Sequence, residues 1–582
     1  MYTSFRSWLN MRYYLEAASV LQLAIGFSLS AAAHAEPGGD PISNIVDLGY
    51  SKYQGTVLPF AVTQFLGIRY AAPPLGELRW RAPQDPVPVA EIQSADQVSW
   101  HSCILGVLLT PQKFPPICIG LGESENLNKT EDCLFVNVFA PSNATTKSKL
   151  PVWVYIQGGG FVTNANANYN ATKLVLESQH SIVLVNFNYR VGPLGFLASE
   201  QVRHNGDLNV GLLDQRKLLR WVQKYIHLFG GDPSHVVIHG ASAGAVSVTH
   251  HLTAYGGRDE GLFVGAVAES IAWTPSLTVA ESEINFESFA AQLNCSRSDP
   301  VACLRSLDAT TIQTLGGAPD DYLMSLQAKL LFQPAIDGEI FPDAHYTNFY
   351  RGNFLDVPLI VGYDTNEGSL FAPNASTPDE VATFVKGWYV KLSEVQVQQV
   401  VDTYPPIESV PGRAEYFSSA SKIFAEGIFH CPTTWISDMA AIYSRKKVWD
   451  YRYNVLDGIA IAAGLGVPHT FETEAIFGTG QAESIRPGFA GAGASYSTYN
   501  AAIVPVIQNY LISFVKTLDP NTYRAAGSPV WKPFHKRSDV RIKIQTNRTA
   551  MEAIPRDLRE RCKLWYSFED GISSGEESGS GG

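Results

Sequence analysis

Apolar runs of strand length punctuate the chain. Residues 134–139, 152–156, 182–187 and 236–238 are continuous stretches rich in Val, Ile, Leu and Phe, separated by segments long enough to hold crossover helices. Strands covered on both sides lose the alternation of half-buried ones, so these runs predict an α/β fold with a large, mostly parallel central sheet covered by helices on both faces. Leu218, Val222, Ile226 and Phe229 recur at helical spacing, and Gly230 with Gly231 ends that helix. Further strands are expected at 262–269, 357–362 and 448–453, and a helix at 501–517 kinked by Pro505. Before the first buried run, residues 45–83 alternate apolar and polar positions between turn residues, which predicts an antiparallel hairpin region. Within it, residues 65–83 (FLGIRYAAPPLGELRWRAP) hold too much Pro and Gly for a helix and read as a structured surface loop.

Two other stretches break the pattern. Residues 104–122 are apolar and Pro-broken, which fits a loop packed on the core or a lid over a hydrophobic substrate site. Residues 478–497 are rich in Gly, Ala and Ser and read as a mobile loop. No internal repeat is visible, so residues 36–570 are expected to form one domain, followed by a flexible polar tail at 571–582.

Composition adds the compartment. Arg6 and Arg12, an apolar run at 17–33 and the small residues Ala33 and Ala35 before Glu36 make residues 1–35 a signal peptide. That run ends in small residues without a basic flank, which favours cleavage over stable membrane insertion. Six sequons, at Asn128, Asn143, Asn170, Asn294, Asn374 and Asn547, agree with a secreted, extracellular glycoprotein. Seven cysteines then imply disulfides. Cys295 and Cys303 are close enough to close a small loop; Cys133 is expected to pair with Cys103, with Cys118 as a rival, and Cys431 and Cys562 stay unassigned. A net charge of −12 argues against a nucleic-acid partner.

The chemistry is concentrated at residues 236–251, VVIHGASAGAVSVTHH. A strand, the turn Gly240, Ala241, Ser242, Ala243, Gly244, and then a helix describe a nucleophile elbow, which lifts the serine Oγ clear of the sheet. Glycines are needed on both flanks because a Cβ there would collide with the neighbouring strand and helix. Residues 571–575 (GISSG) match the same string without a strand before it or a helix after it.

A serine hydroxyl needs an imidazole to take its proton and a carboxylate to orient that imidazole, and in this arrangement both follow the serine in the chain. Of His345, His430, His469 and His535, only His469 sits on a Gly/Pro-rich loop after a strand. His239, beside the elbow, should point away from Oγ and serve structure. The acid is Asp364 or Glu367 in VPLIVGYDTNEGSLF, which spacing leaves open. The glycine run after 152–156, Gly158, Gly159 and Gly160 between Gln157 and Phe161, fits an oxyanion hole in which the N–H groups of Gly159 and Gly160 act with that of Ala243. No Lys-Ser/Thr follows it, so it is not a phosphate loop.

Taken with EDCLFVNVFAP, QGGGF, NYRVGPLGFL, GASAGAVSV, FQPAIDGEIFPD, GYDTNEGSLF and GVPHTFETEAIFG in order, the chain resembles the type-B carboxylesterase/lipase family of α/β-hydrolases, which includes cholinesterases and secreted fungal esterases and lipases. The resemblance implies the α/β-hydrolase fold, Glu367 as the acid, His469 as the base, and the disulfides Cys103–Cys133 and Cys295–Cys303. It implies a serine carboxylic-ester hydrolase acting on a small-molecule or lipid ester, with no metal or cofactor. The alternatives are a lipase working at interfaces and a non-catalytic adhesion or binding protein. Two departures bear on substrate: Ala241 stands where relatives often carry Glu, and residues 103–133 hold no Trp to bind a quaternary ammonium, which argues against a choline ester. Gln157 stands where many relatives have His or an aromatic residue.

Overall fold

In the computed structural model, which describes residues 43–95, 114–164, 168–296, 298–318, 331–406, 408–478, 493–536 and 538–568, each expected buried run lies in one eleven-stranded sheet. Its strands are β1 (Thr56–Leu58), β2 (Val62–Arg69), β3 (Phe135–Pro141), β4 (Leu150–Ile156), β5 (Val183–Phe187), β6 (Gly231–Ala241), β7 (Gly265–Glu269), β8 (Leu359–Asp364), β9 (Val448–Tyr453), β10 (Val540–Ile544) and β11 (Ala550–Ala553). The spatial order is β11-β10-β9-β8-β7-β6-β4-β5-β3-β2-β1. The run from β10 to β5 is parallel throughout, and β11 on one side and β3, β2 and β1 on the other are antiparallel.

Side-chain alternation along these strands feeds two separate cores. Val152, Val154, Ile156, Val236 and Ile238 pack with Leu218 and Val222 of helix α1 (Val210–Tyr225) and Val248 and Leu252 of α2 (Ala243–Gly257). Trp153, Tyr155, Val237, Val267 and Trp449 point the other way, onto Ile507, Leu511 and Phe514 of α3 (Val504–Thr517). Helices therefore cover both faces, as expected. Pro505 does not kink a helix: it lies in the first turn of α3, where its missing N–H costs nothing, after a 3-10 turn at Ala501–Ile503.

The reading of 65–83 as a surface loop is corrected in its first part. Phe65 and Ile68 are fully buried in β2, and the register slips between them around Gly67, whose φ is 77°. A bulge there breaks the periodicity that would have marked the strand. The hairpin expected at the start is present, in β1 against β2 and in Ile45–Asp47 against Lys52–Gln54. Of residues 104–122, those at 104–113 lie outside the described residues; Cys118, Ile119 and Leu121 of the remainder are buried on the core. The expected signal peptide at 1–35, the expected tail at 571–582 and residues 479–492 also lie outside the described residues. Within the expected loop at 478–497, Ala494–Ser497 is a 3-10 turn with Tyr496 buried.

Cys133 is bonded to Cys118 and not to Cys103, which lies outside the described residues. The short parallel pair Ile117–Cys118 and Lys129–Thr130 brings Cys118 and Cys133 to a Cα separation of 4.8 Å. Cys295–Cys303 forms as expected, and Cys431 pairs with Cys562, 131 residues on. A loop of that length restricts the unfolded chain enough to stabilise the fold by about 5 kcal/mol on the chain-entropy account. Cys431→Ser should lower unfolding free energy by about 2–5 kcal/mol, read from denaturant midpoints under non-reducing conditions.

Helix α2 carries a second stability device. The His250 ring is buried, and among the described residues neither nitrogen has a hydrogen-bond partner; it lies 4.3 Å from the Phe341 ring and 4.5 Å from that of His345. Burial pulls its pKa from 6.5 down to about 3. Between those values the unfolded chain binds a proton that the folded one refuses, so the neutral ring's contribution is present at neutral pH and is lost as pH falls. His250→Phe should therefore gain on wild type below pH 6.5, by up to about 1.4 kcal/mol per pH unit, in melting curves taken from pH 7 to 5.

Candidate active site

Chain order reverses at β4. Its crossover to β5 goes to one side and the return to β6 goes to the other, which opens a crevice beyond the carboxyl ends of β4 and β6. The glycine run follows β4 and Ser242 follows β6, so both candidate segments enter this crevice.

Ser242 has φ 59° and ψ −128°, outside the comfortable regions for a residue with a Cβ, and it is partly exposed between buried Ala241 and Ala243. Its N–H donates to the Glu269 carbonyl at 2.9 Å, and α2 starts at the next residue. The flanking glycines are required by contact: a Cβ on Gly240 would sit 2.3 Å from the Gly244 carbonyl oxygen, and one on Gly244 2.1 Å from that of Ile156. The N–H of Ala243 belongs to the first turn of α2, which has no intrahelical acceptor for it and carries the positive end of the helix dipole.

Across the crevice, Gly159 and Gly160 have φ of 117° and 63°. A Cβ on Gly159 would lie 2.1 Å from the Thr163 carbonyl oxygen. The turn is closed by the N–H groups of Val162 and Thr163 donating to the Gly159 carbonyl. Gln157 is buried; its amide donates to Asn164 Oδ1 at 2.7 Å, and Asn164 donates in turn to the Cys118 carbonyl. The glutamine thus braces the glycine turn against the Cys118–Cys133 loop.

The remaining candidates arrive from the next strands. Asp364 ends β8, and Glu367 opens the 3-10 turn Glu367–Leu370 just beyond it. His469 follows β9 at one remove, on the loop between the short helices Gly458–Ala462 and Thr473–Phe477. Its Nδ1 is 2.5 Å from Glu367 Oε2, while Glu367 Oε1 accepts the Asp364 N–H at 2.7 Å. The two loops are zipped together: Asn366 exchanges hydrogen bonds with the backbone of Val467, and Ser369 Oγ donates to the Leu465 carbonyl. Phe371 and Phe429 pack on the His469 ring at 5.3 and 4.7 Å between centroids.

Geometry separates the acids that spacing left level. Glu367 meets the imidazole, and Asp364 turns its Oδ2 to the N–H of Phe471 at 3.0 Å. His345 and His430 are packing residues, stacked on Trp273 and Tyr363, and His535 is exposed. His239 is buried, takes the Trp153 Nε1–H on Nδ1 at 3.0 Å, and lies 3.2 Å from Glu269 through Nε2. The sequence reading missed Glu472, whose Oε1 accepts the Tyr451 hydroxyl at 2.9 Å directly behind the histidine loop. An acid three residues after the histidine was the signal. Burial, and then the neighbouring charges of Glu472 and Glu367, push the Asp364 carboxyl well above the usual carboxylate range. Burial, followed by the charge on Glu269, pushes Glu472 up to about 7.

Residues 43–565 match the Carboxylesterase family. The chain belongs to that family. The carboxylesterase superposes on the crystal structure of Aspergillus niger EstA with a TM-score of 0.83 at 48% identity, over 91% of this chain and 99% of that one. It is 34% identical to Lipase 2 of Geotrichum candidum over 67% of this chain and 73% of the lipase. It is also 28% identical to Secreted lipase 4 of Gibberella zeae, over 90% and 93% of the respective chains. The fold is that of the α/β-hydrolases and the carboxylesterase is a carboxylic ester hydrolase. Among the described residues no helix is long and apolar enough to cross a membrane.

Proposed function

We propose that this carboxylesterase is a secreted enzyme that cleaves carboxylic esters through an acyl-enzyme on Ser242. Ser242 Oγ attacks the ester carbonyl carbon as its proton passes to His469 Nε2, and the alkoxide collects its negative charge against the N–H groups of Gly159, Gly160 and Ala243. His469 then returns the proton to the departing alcohol. Water repeats the sequence on the acyl-enzyme and releases the carboxylic acid. Glu367 holds the ring by Nδ1 and stabilises it when it is charged.

The observation that carries this reading is the 2.5 Å contact of His469 Nδ1 with Glu367, which follows the carboxyl end of β8 as the strained Ser242 follows that of the parallel strand β6. Engaging Nδ1 commits Nε2 to proton transfer. Phe371 and Phe429 beside the ring favour apolar ester groups. Export is supported by the secreted relative, by three disulfides, and by sequon asparagines that are exposed at 128, 143, 294, 374 and 547 and partly exposed at 170.

The test is a panel of p-nitrophenyl esters of increasing acyl length, run on wild type and Ser242→Ala; equal hydrolysis by both sinks the reading. The Geotrichum relative favours a lipase as the second reading. Rates on tributyrin across its solubility limit separate the two, because a soluble-ester enzyme shows no jump there.

A further inference from the structure

We propose that Asp364 is a positioning residue: it shares one proton with Glu472, and this acid pair clamps the loop bearing Glu367 to the loop bearing His469. The inference rests on the triad reading above and extends it to the groups behind it.

Both side chains are fully buried. Asp364 Oδ2 takes the N–H of Phe471, two residues beyond His469, and Glu472 Oε1 takes the hydroxyl of Tyr451. Among the described residues the other two oxygens, Asp364 Oδ1 and Glu472 Oε2, receive no N–H or hydroxyl donor, and the two carboxyls lie within hydrogen-bonding reach of each other. Two carboxylate oxygens only accept; facing each other in a buried site they repel unless a proton lies between them. Asp364 Oδ1–H therefore donates to Glu472 Oε2. With its remaining oxygen Asp364 holds the Phe471 N–H, and with its own N–H it holds Glu367 Oε1. One residue thus bonds to the segments of both acid and base.

The surroundings make that proton matter. Glu367 faces the pair from its own turn, and Glu269 from the end of β7 with His239 of β6 against it. The hydroxyls of Tyr451 and Tyr453 come from β9 and that of Tyr496 from its 3-10 turn, while the His430 ring hydrogen-bonds the Asp364 carbonyl oxygen at 3.2 Å. Burial and these negative neighbours raise both carboxyls, so the pair keeps its proton at neutral pH. When the proton leaves at higher pH, a second negative charge appears beside Glu367 and pushes the loops apart.

The experiment is the pH dependence of kcat and KM on p-nitrophenyl acetate, after subtraction of spontaneous hydrolysis, for wild type, Asp364→Ala, Asp364→Asn and Glu472→Gln. Wild type should lose kcat on the alkaline side. Asp364→Ala should lower kcat about 30- to 100-fold with KM changed less than about threefold, because it disturbs orientation and not uniform binding. Asp364→Asn, whose amide N–H donates to Glu472 but does not titrate, should recover at least roughly tenfold of that loss and show no alkaline decline. Glu472→Gln, which donates to Asp364 from the other side, should also remove the decline and serves if the Asp364 variants do not fold. An Asn variant as slow as Ala, or a decline that persists in Asn or Gln, overturns the clamp. Activity surviving in Ser242→Ala sinks the triad itself whatever happens at Asp364, so the two failures are distinguishable.

Discussion

Ser242→Ala lowers kcat on soluble p-nitrophenyl esters by about 10⁶-fold, the scale seen when a triad nucleophile is removed and only binding and oxyanion donors remain. The loss is chemical and not structural. The Ser242 side chain caps no helix N–H, and alanine has the same backbone demands at φ 59°, so the melting temperature should stay close to that of wild type. KM should move little, since the hydroxyl contributes to the transition state and not to ground-state binding. A serine-directed phosphonate should label wild type with one equivalent and leave the variant untouched. Labelling at another residue would move the nucleophile elsewhere.

Glu367→Gln should cost about 10⁴-fold in kcat, the scale found when a triad carboxylate becomes an amide and the imidazole is held in the wrong tautomer. In the proposed mechanism Glu367 Oε2 takes the proton on His469 Nδ1, 2.5 Å away, which leaves Nε2 as the base. A glutamine can keep its carbonyl on the Asp364 N–H and turn its amide N–H toward Nδ1, which reverses the tautomer and places a proton on Nε2 facing the serine. Phosphonate labelling should slow by a comparable factor, because it needs the same base. If Glu367→Gln is nearly wild type while Asp364→Asn is inactive, the acid has been assigned to the wrong carboxylate.

What the sequence made legible follows from what each signal depends on. Buried parallel strands depend on local composition, so the runs at 134–139, 236–238 and 448–453 could be read directly. The elbow depends on two glycines packed against known neighbours, and those collisions are present at Gly240 and Gly244. Strand β2 was hidden because Gly67 interrupts its pattern with a bulge. Asp364 and Glu367 could not be separated from residue types, because their roles depend on which one the 3-10 turn aims at a loop about a hundred positions later. Residue spacing and family resemblance both favour Cys103 over the rival Cys118 for Cys133, while its actual partner, Cys118, is set by a two-residue strand contact too short to leave a periodic trace. Glu472 escaped notice because a buried acid reads locally like a solvated one; only its burial beside Asp364, more than a hundred positions earlier, sets it apart.

The order in which the sheet is filled bears on how the chain reaches its native state. Strand β6 lies between β4 and β7 although β5 precedes it in the chain. A growing polypeptide that stops short of residue 231 therefore has β4 with one side unpaired, a bare edge of N–H and carbonyl groups suited to pairing with another chain. The strand that ends that exposure is the one that leads into Ser242, so covering the bare edge of β4 and delivering the serine are a single folding event.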